Sequence, residues 1–261
     1  MSVIAILCIL AIVLSITVFM VWASASIRSG VYVRAFCREK TDRKVVYLTF
    51  DDGPHPPETE RVLDVLRERG ARATFFLIGS KVSGNEPVLR RMLEEGHALG
   101  LHTYSHAGTF PLLSFDKMLA DVNEGKRAVE SVAGKKISLF RPPFGVTNPT
   151  IAKVIRTLGL QTVGWDVRSF DTMFCKSSKH YCKPSEHSCK QSGHDWYVPV
   201  VKRIKKQVRP GSVILLHDRL DGASDLLALL LDSLAASGYD FTRALPNTLI
   251  FSSDSSETNL S

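Results

Sequence analysis

The stretch VVYLTFDDGP at residues 45–54 decides the architecture of this chain. Its first six residues are apolar, aromatic or β-branched, a composition that predicts a buried strand. Asp51 and Asp52 follow directly, and Gly53 and Pro54 then turn the chain. The segment therefore predicts a strand that delivers two adjacent carboxylates to its carboxyl end.

A second segment, HTYSH at residues 102–106, supplies two imidazoles four positions apart. Together with the paired aspartates it offers one oxygen and two nitrogen ligands for a divalent metal, and one carboxylate stays spare. A metal with three protein ligands retains a position for water and lowers the pKa of that water to about 7. The two segments together predict a hydrolase.

Strand-like and helix-like segments alternate along the rest of the chain. We predict strands at residues 45–50, 73–78, 97–101, 138–140, 161–165, 212–216 and 239–242. We predict helices at residues 58–69, 88–95, 115–132, 149–158, 197–208 and 225–237. This alternation favours an α/β fold in which helices cover a parallel sheet, either open or closed into a barrel.

Chemically versatile polar residues concentrate where the predicted strands end. They are Asp51, Asp52, His102, Arg141, Asp166, Asp171, His217 and Asp218. The carboxyl ends of parallel strands share one face, and the active sites of βα barrels lie on that face. We therefore predict that these side chains converge on one site.

The chain of 261 residues suffices for one large α/β domain with a substantial core. Its formal charge of +7 is spread along the sequence, and no basic run is interleaved with aromatic residues. We therefore predict no nucleic-acid partner. The charge suits a solvated surface, an acidic polymer or an anionic lipid surface equally well.

The N-terminus differs from the rest of the chain. Residues 3–23 carry no charged side chain and are long enough to span a bilayer as a helix. The Ala-Ser-Ala sequence at 23–25 gives a competing interpretation as a signal-peptide cleavage site. However, no Lys or Arg precedes the apolar run, and the run exceeds a typical signal core. We predict an uncleaved single-pass membrane anchor at residues 1–23 and a linker at 24–44.

The sequence supports two opposite predictions of the side of the membrane on which the domain lies. Four basic residues follow the span: Arg28, Arg34, Arg38 and Lys40. The positive-inside rule assigns them, and the domain behind them, to the cytoplasm. An enzyme that modifies an extracellular polymer faces outward, so the two arguments conflict.

Five motifs, taken in order, resemble those of the NodB-homology polysaccharide deacetylases (carbohydrate esterase family 4), which remove N- or O-acetyl groups from glycans. The motifs are TFDDGP (49–54), HTYSH (102–106), RPPFG (141–145), WDVRSFD (165–171) and LLHD (215–218). The resemblance covers about residues 45–245, which we expect to form the catalytic domain, and leaves a polar tail at 246–261. It implies a distorted (β/α) barrel with fewer than eight complete units.

The resemblance also implies roles for individual residues. It makes Asp52, His102 and His106 the ligands of a divalent metal, usually zinc and sometimes cobalt or another ion. It makes Asp51 the general base and His217 the general acid. The chemistry agrees, since a carboxylate beside the metal can deprotonate the activated water and an imidazolium can protonate the departing amine.

The base and the acid must hold opposite charge states at one pH, so they need different surroundings. We expect Arg141 and the metal to keep Asp51 ionised. We expect Asp171 to keep His217 protonated, with Asp166 as the alternative partner.

The third and fourth motifs are implied to line the substrate site. Within the third, the residues concerned are Pro143, Phe144 and Gly145, and a backbone N–H near Phe144 is expected to polarise the acetyl carbonyl. Trp165, at the start of the fourth motif, is expected to lie with them.

Two features depart from the family pattern. In the fourth motif, commonly D-S-x-D-W, Arg168 replaces the first Asp and Thr172 replaces the Trp, which removes an aromatic wall for a sugar ring. Residues 175–195 form three tandem heptads, CKSSKHY, CKPSEHS and CKQSGHD. This insert is either a second metal site or redox-sensitive flap, or a polar loop that arose by duplication. One of its cysteines can pair with Cys37 in an oxidising compartment.

We predict a membrane-anchored, metal-dependent deacetylase that hydrolyses the acetamide of an N-acetylhexosamine unit in a glycan. An O-acetyl esterase uses the same groups, and a carbohydrate-binding membrane module with a dead site is the non-enzymatic alternative. A glycosidase is disfavoured because adjacent Asp51 and Asp52 cannot flank a sugar from opposite sides. Peptidoglycan, chitin-like oligomers, an exopolysaccharide and a lipid-linked sugar all remain as candidate substrates.

Overall fold

The computed structural model describes residues 2–179 and 196–249 of the chain. Most of the heptad insert predicted at 175–195, and the tail from residue 250 onward, lie outside the described residues. The two interpretations of the insert therefore stay predictions.

One parallel sheet of eight strands forms the centre of the domain. The strands are β1 (Ala35–Phe36), β2 (Val46–Gly53), β3 (Ala73–Leu77), β4 (Ala98–Leu101), β5 (Leu139–Phe140), β6 (Gln161–Val163), β7 (Val167–Arg168) and β8 (Ser212–His217). Their spatial order is β1-β6-β5-β4-β3-β2-β8-β7, and every hydrogen-bonded pair is parallel. The sheet curls like part of a barrel. The barrel is incomplete because no pair joins β1 to β7 among the described residues. The predicted distorted α/β barrel is confirmed.

Helices cover the sheet, and the six that the sequence periodicity predicts within the domain agree with the structure to within two residues at their ends, whereas the helix that begins at Asp171 was not predicted. The helices are α1 (Val3–Ala25), α2 (Glu58–Glu68), α3 (Glu86–Glu94), α4 (Phe115–Ala133), α5 (Pro149–Thr157), α6 (Asp171–Lys179), α7 (Tyr197–Gln207) and α8 (Ala223–Ala236). The spacing of Leu226, Leu230 and Leu234 on α8 buries one face of that helix. At the start of α5, the Asn148 side chain accepts a hydrogen bond from the Ile151 N–H at 2.8 Å, a standard N-cap.

The strand β2 is buried at all eight positions because it lies between β3 and β8. It extends beyond the predicted end at residue 50 and carries both aspartates to Gly53, since β3 and β8 pair with it on both sides. Asp51 lies directly opposite His217 on β8. The register between β2 and β8 thus brings the first and fifth motifs together.

Two segments differ from the sequence-based expectation. The segment predicted as a linker at 24–44 contributes β1. This strand pairs with β6 and forms one edge of the sheet. The strand predicted at 239–242 makes only one bridge, between Val45 and Asp240. Asp240 accepts hydrogen bonds from both the N–H and the hydroxyl of Thr242, and this local turn ends the pairing.

The N-terminal helix α1 is long and apolar enough to cross a membrane, a property that a signal sequence shares. Nearly all of its side chains are exposed, over almost the whole length of the helix. The exception is Ala23, which is fully buried.

Gly100 on β4 is a position where the core tolerates no side chain. A Cβ there would lie 2.5 Å from two ring atoms of Phe76, whose ring is fully buried. We expect Gly100→Ala to destabilise the fold by about 1–3 kcal/mol through overpacking. The denaturant midpoint of the purified chain measures this change. Gly108→Ala is the matched control, because a Cβ at Gly108 meets no atom within 4 Å, and an equal loss in both variants would contradict the packing argument.

Candidate active site

Backbone strain at non-glycine residues lies in the motif loops of the part of the chain that the structure describes. Among the described residues, five non-glycine residues have positive φ: Asp52, Thr103, His106, Phe144 and Phe170. They belong to the first four motifs. Such conformations cost of order 1–3 kcal/mol each and cluster at functional sites, where the surrounding structure imposes them. The loops at the carboxyl edge of the sheet are therefore shaped for a purpose other than stability.

Asp52, His102 and His106 form the one group among the described residues that can hold a metal ion. Their ligand atoms all lie within 4.8 Å of one another. The Nε2 atoms of His102 and His106 lie 3.6 Å and 3.3 Å from Asp52 Oδ1. One carboxylate oxygen and two imidazole nitrogens thus face a common point.

The hydrogen bond of His102 fixes the tautomer that a metal requires. Its Nδ1–H donates to the Arg141 carbonyl at 2.7 Å, so the lone pair of Nε2 points toward Asp52. Burial, together with the neighbouring His102, lowers the pKa of His106, which keeps its ring neutral and able to ligate. Burial raises the pKa of Asp52, but the neighbouring imidazoles and Arg219 outweigh it and lower that pKa to about 2. The donor set fits a divalent cation.

Asp51 stands beside this group and binds a different partner. Its Oδ1 accepts a hydrogen bond from Arg141 at 2.7 Å, while its Oδ2 lies 3.9 Å from His102 Nε2. The carboxylate therefore has one oxygen engaged and one oxygen facing the group that can hold a metal.

Arg141 is the largest fully buried side chain of the domain. Its guanidinium also donates to the Thr49 hydroxyl and to the carbonyls of Val163 and Gly164. The Arg141 Cζ lies 4.1 Å from the centre of the Phe76 ring. This burial holds the guanidinium in one position, so its contact with Asp51 is well defined.

His217 has Asp171 as its partner, and the alternative Asp166 binds elsewhere. Asp171 Oδ1 accepts from His217 Nδ1 at 2.8 Å, and Asp171 Oδ2 accepts from the His217 backbone N–H at 2.9 Å. Asp166 instead accepts from Ser212 and from the N–H of Val213. Burial lowers the pKa of His217, but Asp171 and the more distant aspartates outweigh it and raise that pKa to about 9.

The third motif lies beside the group that can hold a metal. Pro143 and Gly145 are buried, whereas the Phe144 side chain is exposed and its ring centre lies 5.3 Å from that of His106. Trp165 packs against Gly145, where a Cβ would meet the indole at 2.5 Å. These residues lie together, as the motif order predicts for a substrate wall.

Three further residues brace the site and were missed by reasoning from the sequence. Arg219 Nε donates to Asp52 Oδ2 at 2.6 Å, and Lys81 Nζ donates to the Asp52 carbonyl at 2.7 Å. Asp121 accepts from the N–H groups of Tyr104 and Ser105 and so holds the HTYSH loop. Arg219 follows the fifth motif directly and its position was a usable signal. Lys81 and Asp121 lie in segments with no motif.

Asp218, the last residue of the fifth motif, and His55, next to the first motif, lie outside the group that can hold a metal. Asp218 is fully buried and accepts from the Thr59 hydroxyl at 2.7 Å. Burial and the nearby Asp52 raise its pKa to about 6. His55 is exposed and lies in the loop that follows β2.

The α/β fold and the group that can hold a metal, at the carboxyl edge of the sheet, define a metal-dependent hydrolase. Comparisons with known proteins identify its family. A profile of the polysaccharide deacetylase family matches residues 38–163. A peptidoglycan-N-acetylglucosamine deacetylase of Bacillus cereus is 34% identical over 207 residues, which cover 77% of this chain and 86% of the relative. The chain therefore belongs to the polysaccharide deacetylase family, and the resemblance found in the sequence is confirmed.

Two other comparisons agree with this assignment. A chitooligosaccharide deacetylase of Azorhizobium caulinodans is 30% identical, over 66% of this chain and 73% of the relative. The solved structure of the peptidoglycan deacetylase PdaC from Bacillus subtilis has a TM-score of 0.63 and 30% identity, and covers 77% of this chain and 87% of that chain. The fold and the enzyme class of this chain are thus those of the family.

We expect His106→Ala to abolish tight binding of a divalent ion, because it removes one of three ligand atoms. The loss of affinity should be at least about 100-fold, the upper range seen when only a supporting contact to a metal ligand is removed. Competition with a chromophoric chelator measures the affinity for zinc. His55→Gln is the control, since His55 lies outside the group, and equal affinities in all three proteins would contradict the assigned ligands.

The contact between His217 and Asp171 has a defined pH dependence. The pKa of His217 lies above its usual 6.5, so the contact stabilises the fold fully below pH 6.5 and the stabilisation is lost as pH rises through about 9. We expect Asp171→Asn to lower the pKa of His217, because Asp171 is the strongest of the three aspartates that oppose the effect of burial. An NMR titration of the His217 ring in the metal-free protein checks this. The conservative Asp166→Asn should leave the titration near 9, and a shift there instead would reassign the partner.

Proposed function

We propose that this chain hydrolyses the N-acetyl group of N-acetylhexosamine units in a glycan and releases acetate. The observation that carries the proposal is the convergence, at one sheet edge, of a carboxylate base, an imidazolium acid and a three-atom metal-binding group. The named activities of the relatives, on peptidoglycan and on chitooligosaccharides, support the same class of substrate.

Asp52, His102 and His106 would hold the ion. Two imidazoles and one carboxylate suit zinc, and cobalt is the alternative that the same ligands accept. When bound, a divalent ion supplies a Lewis acid that polarises both water and the acetyl carbonyl.

Asp51 acts as the base. Arg141 donates a hydrogen bond to its Oδ1, which leaves Oδ2 to take the proton from the attacking water. We propose that a backbone N–H near Phe144, whose ring lies beside that of His106, donates to the carbonyl oxygen as negative charge develops on it.

His217 acts as the acid. Its pKa of about 9 keeps the ring protonated at neutral pH, and Asp171 orients it through the contact to Nδ1. The free Nε2–H is then the donor for the departing amine. The immediate partner of Asp51 is a cation and that of His217 is an anion, which is the difference in surroundings that a base and an acid in one site need.

We also propose that α1 is an uncleaved, single-pass membrane anchor. The contacts of its last turn with the domain support this, since Ala23 is fully buried and Ser24 exchanges hydrogen bonds with Thr147. Cleavage within the Ala-Ser-Ala sequence would separate Ala23 from the structure it packs in. The domain, which we expect to extend over residues 45–245, then stays tethered at the bilayer.

The closest alternative is hydrolysis of O-acetyl esters by the same groups. An amine is a poorer leaving group than an alcohol, so amide hydrolysis depends more strongly on protonation by His217. Comparing acetate release from an N-acetylated and an O-acetylated oligosaccharide of the same sugar separates the two. The inactive binding module is disfavoured because base, acid and metal-binding residues are all in place.

We expect the purified chain to release acetate from N-acetylated oligosaccharides, and we expect a chelator to abolish this activity until zinc or cobalt is restored. Asp51→Asn should lower kcat/KM by about 100-fold or more, because it removes the proton acceptor while keeping the shape of the side chain. Liberated acetate is the quantity to measure. His55→Gln should retain activity. Sugar-chain cleavage that survives the chelator would point to a glycosidase and refute the proposal.

A further inference from the structure

The C-terminal end of α1 is fastened to a loop of the active site. The Thr147 N–H donates to the Ser24 carbonyl at 2.9 Å, and the Ser24 hydroxyl donates to the Thr147 carbonyl at 2.6 Å. The Thr147 hydroxyl also donates to the Ala23 carbonyl at 3.4 Å. Thr147 lies two residues beyond the RPPFG motif, so the apolar helix ends at the catalytic face of the domain.

The length of α1 determines where a bilayer would meet the domain. Its 23 residues span about 34 Å as a helix, close to the roughly 30 Å thickness of a hydrocarbon core. A spanning α1 therefore has its last turn in the headgroup region. Trp22, half-exposed in that turn, is the residue type that favours this depth. Thr147 and the loop that carries it must then lie at the membrane surface.

Two exposed apolar side chains lie on the rim beside this attachment. Leu112 is 85% exposed and Phe144 is 52% exposed. Their loops are joined directly, because the Asn148 side chain donates to the Pro111 carbonyl at 2.7 Å. The rim, defined as Leu112 and Phe144, is thus continuous with the end of α1.

We propose that the bilayer that receives α1 also receives this rim, so that the catalytic face lies at the membrane surface and the substrate is a glycan carried on a lipid. This inference rests on the deacetylase function proposed above and names its substrate class. The occupant of the rim is lipid because the rim continues the surface of a helix that is itself membrane-spanning in length and composition.

The position of the site makes a lipid-linked glycan the fitting substrate. The ring of Phe144 is in contact with that of His106, which belongs to the group that can hold a metal. If Phe144 lies in the headgroup region, the metal-binding group therefore lies directly beside that region. A saccharide whose reducing end is held by a lipid presents its first sugars at this depth. A thick soluble polymer would have to enter between the domain and the bilayer. Arg28, exposed just after α1, can contact anionic headgroups at the same level.

The membrane contact is tested with the full chain in phospholipid nanodiscs. An environment-sensitive fluorescent amino acid at Leu112 should shift its emission to the blue and be quenched by lipids labelled in the headgroup region. The same amino acid at Glu68, at the end of α2 that faces away from the catalytic edge, should emit as in water. Water-like emission at Leu112, or a mature protein from which α1 has been removed, would overturn the proposal.

The substrate class is tested with one acetylated disaccharide in two forms, free in solution and attached to a polyprenyl lipid in the nanodisc. We expect kcat/KM to be at least tenfold higher for the lipid-linked form. Leu112→Ser should lower the value for the lipid-linked form by about fivefold or more and change that for the soluble form less than twofold. Leu229→Ser, which removes an exposed leucine on α8, is the matched control and should change neither.

The outcomes separate this inference from the function on which it rests. No acetate from either form would refute the deacetylase function itself. Equal or faster turnover of the soluble disaccharide, or equal effects of Leu112→Ser and Leu229→Ser, would leave the deacetylase intact and refute the membrane-facing site.

Discussion

The structure of the site depends on one buried ion pair, between Arg141 and Asp51. The Arg141 guanidinium is completely buried. It donates to Asp51, to the Thr49 hydroxyl and to the carbonyls of the last residue of β6 and of the residue after it. The carbonyl of the same residue accepts from His102 and fixes its tautomer. One residue therefore joins three strands, orients Asp51, the proposed base, and directs the His102 nitrogen toward the group that can hold a metal. Leaving either charge of such a pair alone in the interior costs about 3–5 kcal/mol, so its geometry is strongly held.

The loops around this pair carry conformations that do not favour stability. Asp52 and His106 adopt positive φ, and each supplies an atom to the group that can hold a metal. The sheet beneath them compensates, because β2 is buried at every position and pairs on both sides. A rigid, fully paired centre and strained loops at its carboxyl edge are two parts of one arrangement. The first makes the second possible.

Much of the fold could be predicted from local pattern. Helices such as α8 have an apolar period that indicates one buried face, and β2 to β6 and β8 follow from short apolar runs between turns, whereas the two residues of β7 were not predicted. The edges were harder to predict. The two residues of β1 have too little pattern to stand out from a linker, and residues 239–242 have strand-like composition but turn at Asp240 through a side-chain hydrogen bond. Short elements depend on contacts that lie far away in the chain.

The sequence by itself determined the chemistry of this protein. The five motifs predict a base, an acid and a metal-binding group, because the proposed reaction needs those residue types in any fold. Only the tertiary structure decided between Asp171 and Asp166 as the partner of His217, since the choice rests on which loop faces β8. It also revealed Arg219 and Lys81 on Asp52, and the attachment of α1 beside the active site. Those contacts join residues that are distant in the chain, and local composition carries no record of such distances.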